Sequence, residues 1–442
     1  MLHKHIARHT KRYVSHVTKY LYERDTLFAT FSVFVFLILL GMIPINFYVL
    51  NPMKMALKDF DFNDMKYSRL VNDDKIKLDS THVVIVNIGK GDREEIAGII
   101  ELVSAYRPKV MGLDALFAGE KEAAKDSILR NTFIKTPNLI AASYIIPGDT
   151  FEIRKDYFDD VTPNKGYVNF VSEAIGTRRF YSPFEIVDHQ KVPSFTSAIV
   201  KLYDSAKYKK LVERHKEVES INYSRRENKY FVLQPNELVE DNVDTNVIRN
   251  KIVLLGYINN NPDDIEDKLF TPMNEKFAGK AKPDMNGIVV HANIISMVLE
   301  ENYIHKTPKW VAWVLAIVIG WIHMSLFIRY YLESHIWFHL VAKIAQLFSV
   351  ILFAYLGIFI FDKFAIKLEM KYTLYVIALA VDVIYFYEAF VGWLHRKYNF
   401  QTIFSHHHHP LEHETHHKQE HHNTDQHKTE HHKHETTTHE PH

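Results

Sequence analysis

Cysteine is absent from all 442 residues. That absence removes disulfides, thiolate nucleophiles and thiolate metal sites together, so any metal would have to be held by His, Asp or Glu. A charge bias is missing too. Lys plus Arg and Asp plus Glu stand at 53 each, and no global field favours nucleic acid or an acidic partner. With 47% hydrophobic residues the chain is not of the disordered class, and no repeat or long low-complexity linker divides residues 51–308.

Four long apolar runs dominate what is present. The first, LFATFSVFVFLILLGMIPINFYVL at residues 27–50, holds 24 residues without a charge. At about 1.5 Å per residue it crosses roughly 30 Å of hydrocarbon. It is too long for the apolar region of a signal peptide, and no small-residue cleavage pair follows it. Three more runs, residues 309–329, 336–361 and 372–394, lie close together with the short connections RYYLESH and DKFAIKLEMK. Four transmembrane helices are expected, one before and three after residues 51–308. Lys4, Arg8, Lys11, Arg12, Lys19 and Arg24 lie in the basic segment 1–26, and the positive-inside rule then holds it in the cytoplasm. The segment 395–442 returns to the same side, and residues 51–308 lie outside. Arg329, Arg396 and Lys397 agree with this layout. Lys363, Lys367 and Lys371 do not, and the first helix is given more weight because it usually dominates orientation.

The outer segment reads as alternating strands and helices. THVVIVNIG is a β-branched run, REEIAGIIELVSAY places Ile96, Ile99, Ile100 and Val103 on one helical face, and KVMGLD returns as a strand. NLIAASYII, GYVNFV, KYFVLQ and KIVLLGYI supply further strands. The fold class expected is α/β with a mainly parallel sheet. Ligands of such sheets sit beyond the carboxyl ends of the strands, which makes Asn87, Asp114, Asn169 and Gly256 candidates for one crevice. For Asp114, the role of a helix cap or turn residue stays open beside ligand binding.

Other polar groups carry weaker chemistry. His291, in GIVVHANIISMVL, reads as closing a short strand and opening a helix. Only Asn293 stands near it, and no HxxxH or HExxH spacing exists here. A structural role, satisfying buried backbone groups, is therefore expected over a zinc ligand or general base. The acidic loop with Asp263, Asp264, Glu266 and Asp267 lacks the glycine turn and closing glutamate of a calcium loop, and reads as solvated. Within the apolar runs, Lys343 and Glu388 each lie roughly 10 Å deep by residue count, so an intramembrane pair between them is expected. A proton or metal path through Asp382 and His323 is the alternative. The tail holds 15 of the 28 histidines. His406, His407, His408, His409, His416, His417, His421, His422, His431 and His432 are donors suited to Zn, Ni or Cu at modest affinity, on a segment disordered by composition.

A longer series is more specific: GLDALF at 112–117, GYVNF at 166–170, the paired Arg178 and Arg179, PSF at 193–195, NKIVLLG at 250–256, Asp267 with Thr271 and Pro272, then GIVVHANIISMVL. In the order of its pieces, and in the layout of one apolar span before and three after, it resembles the CHASE type 2 family of extracellular sensory domains, associated with histidine kinases and adenylate cyclases. The resemblance implies a bacterial inner-membrane protein with a periplasmic sensor domain and no generally assigned ligand. It also marks Asp267 as a recurrent feature beside the crevice, and so as a fourth candidate contact with Asn87, Asp114 and Asn169. The chain departs from the pattern in two places. The tryptophan-proline-x-arginine stretch after the first strand is reduced to GKGDR, keeping only Arg93. About 48 residues follow Leu394, room for no kinase or cyclase. The expectation is a sensor that is not an enzyme and acts through a signalling or envelope protein partner, with no nucleic acid; a homo-oligomer stays open. The alternatives are a metal-handling or transport component using the tail, and a scaffold in an envelope complex.

Overall fold

A computed structural model describes residues 19–42, 64–70, 82–148, 150–162, 164–170, 176–240, 243–259, 261, 264–274, 282–333 and 337–405. The basic stretch before residue 19, Asp263 and the histidines of the tail lie outside the described residues, as do positions 43–50 of the first apolar run. The chain forms two compact units, one of residues 46–307 with 356–368, the other of residues 1–45, 308–355 and 369–442. The helices used below are α1 (Arg24–Met42), α2 (Asp64–Leu70), α3 (Arg93–Ala105), α4 (Ala123–Lys135), α5 (Phe195–Tyr203), α6 (Gly287–Leu299), α7 (Lys309–Glu333), α8 (Phe338–Phe364) and α9 (Lys371–Tyr398).

The first unit is built on a mixed, mainly parallel sheet. Its strands are β1 (Val83–Asn87), β2 (Val110–Leu113), β3 (Leu139–Ile146), β4 (Glu152–Arg154), β5 (Lys165–Tyr167), β6 (Phe231–Leu233) and β7 (Ile252–Gly256). They run in the order β6-β1-β7-β2-β3, with β5 parallel and β4 antiparallel to β3. The expected pair of parallel strands joined by α3 is therefore not adjacent. The late strand β7 inserts between β1 and β2, Ile85 opposite Leu254 and Leu254 opposite Gly112. All five of its residues are buried, as a central parallel strand requires.

Alternation along the strands divides the core into two faces. Val83, Ile85, Val110, Ile252 and Leu254 meet α5 and α6, whereas Val84, Val86, Met111, Leu113, Val253 and Leu255 meet α3 and α4. The helix α3 starts where Asp92 closes a capping box: its carboxylate accepts from Glu94 N and Glu95 N, and Glu95 Oε2 accepts from Asp92 N at 2.8 Å. It buries Ile96, Ile99, Ile100 and Val103, the face expected from the sequence. On the other side α5 lies unusually close to the sheet, because a Cβ placed on Gly166 would fall 2.5 Å from Phe195 Cα and 2.7 Å from Ser194 O.

The second unit contains α1, α7, most of α8, and α9, four helices long and apolar enough to cross a membrane. Their bounds overrun the expected runs, most clearly where α9 continues to Tyr398. Ala29, Val33, Ala316, Met324, Val376, Ala380 and Ile384 form the centre of its core. A Cβ on Gly320 would lie 2.5 Å from Val376 Cγ1, so α7 and α9 touch at a small residue, as packing within lipid favours.

Gly166→Ala is expected to destabilise the sheet unit by about 1–3 kcal/mol or more, since backbone atoms must yield and no rotamer relieves the clash. Chemical unfolding of the purified chain measures it, and an unchanged midpoint would show that α5 does not sit this close.

Candidate functional site

The carboxyl ends of β1, β2 and β7 gather beside the N-terminus of α6, where the sequence placed its candidates. Their side chains divide sharply. Asn87 is fully engaged: Oδ1 accepts from Gly89 N at 3.0 Å and Ile258 N at 2.9 Å, while Nδ2 donates to Gln234 Oε1 at 3.1 Å and Ile258 O at 3.3 Å. Asn169 is equally committed, accepting from Ile145 N at 3.0 Å and donating to Ile145 O at 2.8 Å, so it extends the ladder beside β3 in side-chain form. Gly256 admits α6, since a Cβ there would meet Ile288 at 2.8 Å. These three shape the rim.

Asp114 and Asp267 are different. Asp114 N donates to Leu255 O at 2.8 Å, but its partly buried carboxylate has no hydrogen-bond partner among the described residues. The helix-cap alternative falls, because the chain stays irregular from Asp114 until α4 begins at Ala123. Burial, then the charge of Asp267, pushes the Asp114 carboxyl up to about 7. Asp267 adopts a left-handed backbone with φ of 60°, in the turn just before the strand pair of β8 (Lys268–Leu269) and β9 (Met285–Asn286). Its carbonyl accepts from Gly287 N at 3.1 Å, and its carboxylate oxygens stand 3.8 and 3.9 Å from a Cβ position on Gly287, over the first turn of α6. Its own carboxyl is raised by burial and then by Glu266, less strongly than that of Asp114 because much of its surface meets solvent. The rim thus carries two carboxylates, one of them, Asp267, over the N-terminus of α6.

His291 lies inside α6, which begins at Gly287; the expected strand reaches only Asn286, because β9 is two residues long. The ring is 5% exposed, stacks on Phe170 with centroids 5.4 Å apart and meets Phe195 edge-on at 5.4 Å. It bonds the backbone of Val168, and burial lowers its pKa to about 4 despite that bond. A neutral imidazole wedged between aromatic rings is a packing element, and its Nδ1 has no hydrogen-bond partner among the described residues. In the acidic loop, Glu266 pairs with Lys90 at 2.5 Å and Asp264 accepts from Glu266 N at 3.0 Å; no metal-holding group of three was found among the described residues. A separate cavity of about 410 Å³, lined by Arg226, Glu227, Tyr230, Val232 and Asp284, borders β9 and includes neither Asp114 nor Asp267.

A family model, the CHASE2 domain, matches residues 37–328, more than half of the chain. The chain belongs to the CHASE2 family. No curated protein and no solved structure matches it. CHASE2 is a sensory domain family, which fits a signalling role and a chain that is not an enzyme.

One feature of this CHASE2 domain escaped the sequence reading. Arg93, 4% exposed, pairs with Asp126 and donates to Gly119 O, while its guanidinium lies 5.1 Å from the rings of both Tyr157 and Phe158 and 5.8 Å from that of Phe117. A buried cation caged by aromatics and a carboxylate holds the loop after β2 against α3 and α4. Only the retained arginine of GKGDR hinted at it, since its partner lies 33 residues away.

Among the membrane-type helices the expected pair is corrected. Lys343 bonds Asp382 at 2.7 and 2.8 Å, and Glu388 accepts instead from Tyr331 at 2.5 Å. The antiparallel register of α8 and α9 sets His339 beside Tyr385, Lys343 beside Asp382 and Gln346 beside Ile377 and Ala378. Glu388 lies six residues beyond Asp382, about 9 Å along the axis. Counting depth from the ends of apolar runs missed this because the two helix ends are not level: Lys343 lies five residues into α8, whereas Asp382 lies sixteen residues before the end of α9. His323 bonds Ile319 O within its own helix at 2.9 Å and sits edge-on to Phe327 and Phe353, apart from the Lys343–Asp382 pair.

The raised carboxyl of Asp114 fixes a sign. Folding holds there a proton that the unfolded chain releases above its ordinary value of 3.8, so the stability it contributes is complete below that pH and is lost as pH rises through about 7. Asp114→Asn should raise Tm more at pH 8 than at pH 5, the difference between the two being roughly 1–3 kcal/mol or several degrees. Equal shifts at both pH values would count against the raised carboxyl.

A double-mutant cycle between Lys343→Met and Asp382→Asn in detergent should show coupling of roughly 0.5–3 kcal/mol, whereas Lys343→Met with Glu388→Gln should be additive within about 0.5 kcal/mol. The reverse pattern would restore the Glu388 pairing.

Proposed function

We propose that the chain is a bacterial inner-membrane sensor. Its CHASE2 domain lies in the periplasm, its four long apolar helices cross the membrane, both termini are cytoplasmic, and its output is carried by a partner protein. The carrying observation is the combination of a CHASE2 domain with four helices long and apolar enough to span. The basic residues ahead of α1 support the orientation. The stimulus binds at the rim of Asp114 and Asp267, the two candidate side chains whose carboxylates internal bonding does not consume.

Reporter fusions test the topology: alkaline phosphatase should be active when fused near residue 200 and inactive at the C-terminus. The opposite pattern refutes it. Purification of the full chain in gentle detergent, followed by mass spectrometry, should return a stoichiometric partner bearing a signalling domain. If removing residues 406–442 abolishes a metal-dependent phenotype while the CHASE2 domain is dispensable, metal handling by the tail replaces sensing.

A further inference from the structure

Three segments adjoin the membrane-type helices in chain order: α2, the strand β10 (His305–Lys306) just ahead of α7, and the end of α8 leading into β11 (Ile366–Lys367). All three converge on one cluster within the sheet unit. Asp64 of α2 takes two bonds from Arg179, Nη2 to Oδ2 at 2.6 Å and Nε to Oδ1 at 3.2 Å. Tyr67, 3% exposed, donates to Asn222 Oδ1 at 3.2 Å and meets Phe361 edge-on at 5.8 Å; Lys66 lies 4.7 Å over the same Phe361 ring. β10 and β11 form a parallel ladder, His305 opposite Ile366, extended by His305 N to Ala365 O at 2.8 Å and Thr307 N to Lys367 O at 3.2 Å. The space among Asp64, Tyr67, Arg179, Ile304 and Phe361 is only about 20 Å³, so the cluster is tightly filled.

The same cluster reaches the rim in two steps. Arg179 holds Asp64 by its side chain, and its neighbour Arg178 donates its backbone N–H to Phe270 O at 2.7 Å. Phe270 follows β8 directly, three residues after Asp267. Tyr223, which packs edge-on against Tyr67, donates to Arg178 O at 2.7 Å and fixes the dipeptide from the other side.

We propose that Arg178 and Arg179 form a transmission link, coupling the position of the Asp267 strand to a collar made of α2, β10 and β11. A shift of β8 pulls on Arg178, and Arg179 carries it to Asp64, so that α2 and the strands leading into α7 and out of α8 respond together. Its meaning as a signal route rests on the proposed topology. The coupling itself does not, so the reporter fusions and the experiments below fail independently.

The test uses the full chain in lipid nanodiscs and amide hydrogen exchange, with no ligand required. Asp267→Ala should raise exchange at residues 64–70 and 305–307 by about tenfold or more, while amides of β1 and β7 keep their protection and show that the domain is folded. In an Arg179→Gln background the collar should exchange at one rate whichever residue occupies position 267. Collar exchange indifferent to Asp267→Ala, or an equal response in both backgrounds, overturns the link. Because the chain has no cysteine, His305→Cys with Ile366→Cys introduces the only thiols, placed at register partners within disulfide reach. Rapid closure under mild oxidant supports the collar, and failure to close overturns it.

Discussion

The architecture depends on one strand being buried from every side. β7 sits between β1 and β2, all of its residues are covered, and α6 packs flush against its last residue because Gly256 has no side chain. A Cβ there would strike Ile288, one residue into α6, and lift the helix from the sheet. Everything at the rim follows from that contact. With β2 paired beside β7, it sets Gly287 under Asp267 and leaves Asp114 partly buried, without a hydrogen-bond partner for its carboxylate among the described residues. Burying a carboxylate in this way is unfavourable for the charged form, and the raised Asp114 carboxyl is the expression of that cost.

The division of the rim into engaged amides and unengaged carboxylates has a chemical basis. Asparagine both donates and accepts, so Asn87 and Asn169 can satisfy backbone N–H and C=O groups where strands end. A carboxylate only accepts when ionised, so it cannot satisfy a backbone C=O as an asparagine does. Asp114 and Asp267 therefore retain capacity for a proton or another donor. The proposal that a stimulus binds there rests on that capacity.

Two arginines, Arg93 buried and Arg179 partly exposed, organise the rest of the domain in different ways. Arg93 is enclosed by aromatic rings and Asp126, which makes it a fixed post for the loop after β2. Arg179, less enclosed, binds a carboxylate on a separate short helix, and its backbone neighbour binds the strand beside the rim. Planar guanidinium suits both tasks, through its apolar faces in the first and its fork of donors in the second.

The sequence by itself determined the four long apolar helices, the α/β class, the buried face of α3 and most strand positions, because hydrophobic period and run length are properties of neighbouring residues. It also located the polar residues at strand ends, since strands stop where apolar runs stop. Tertiary structure alone decided that β7 separates β1 from β2, that Asn87 and Asn169 are consumed while Asp114 is not, and that Lys343 meets Asp382. Each of those outcomes turns on a partner far away in the chain, and in the last on the register of α8 against α9. Pairing of that kind is set by which surfaces close-pack, and no local pattern encodes it.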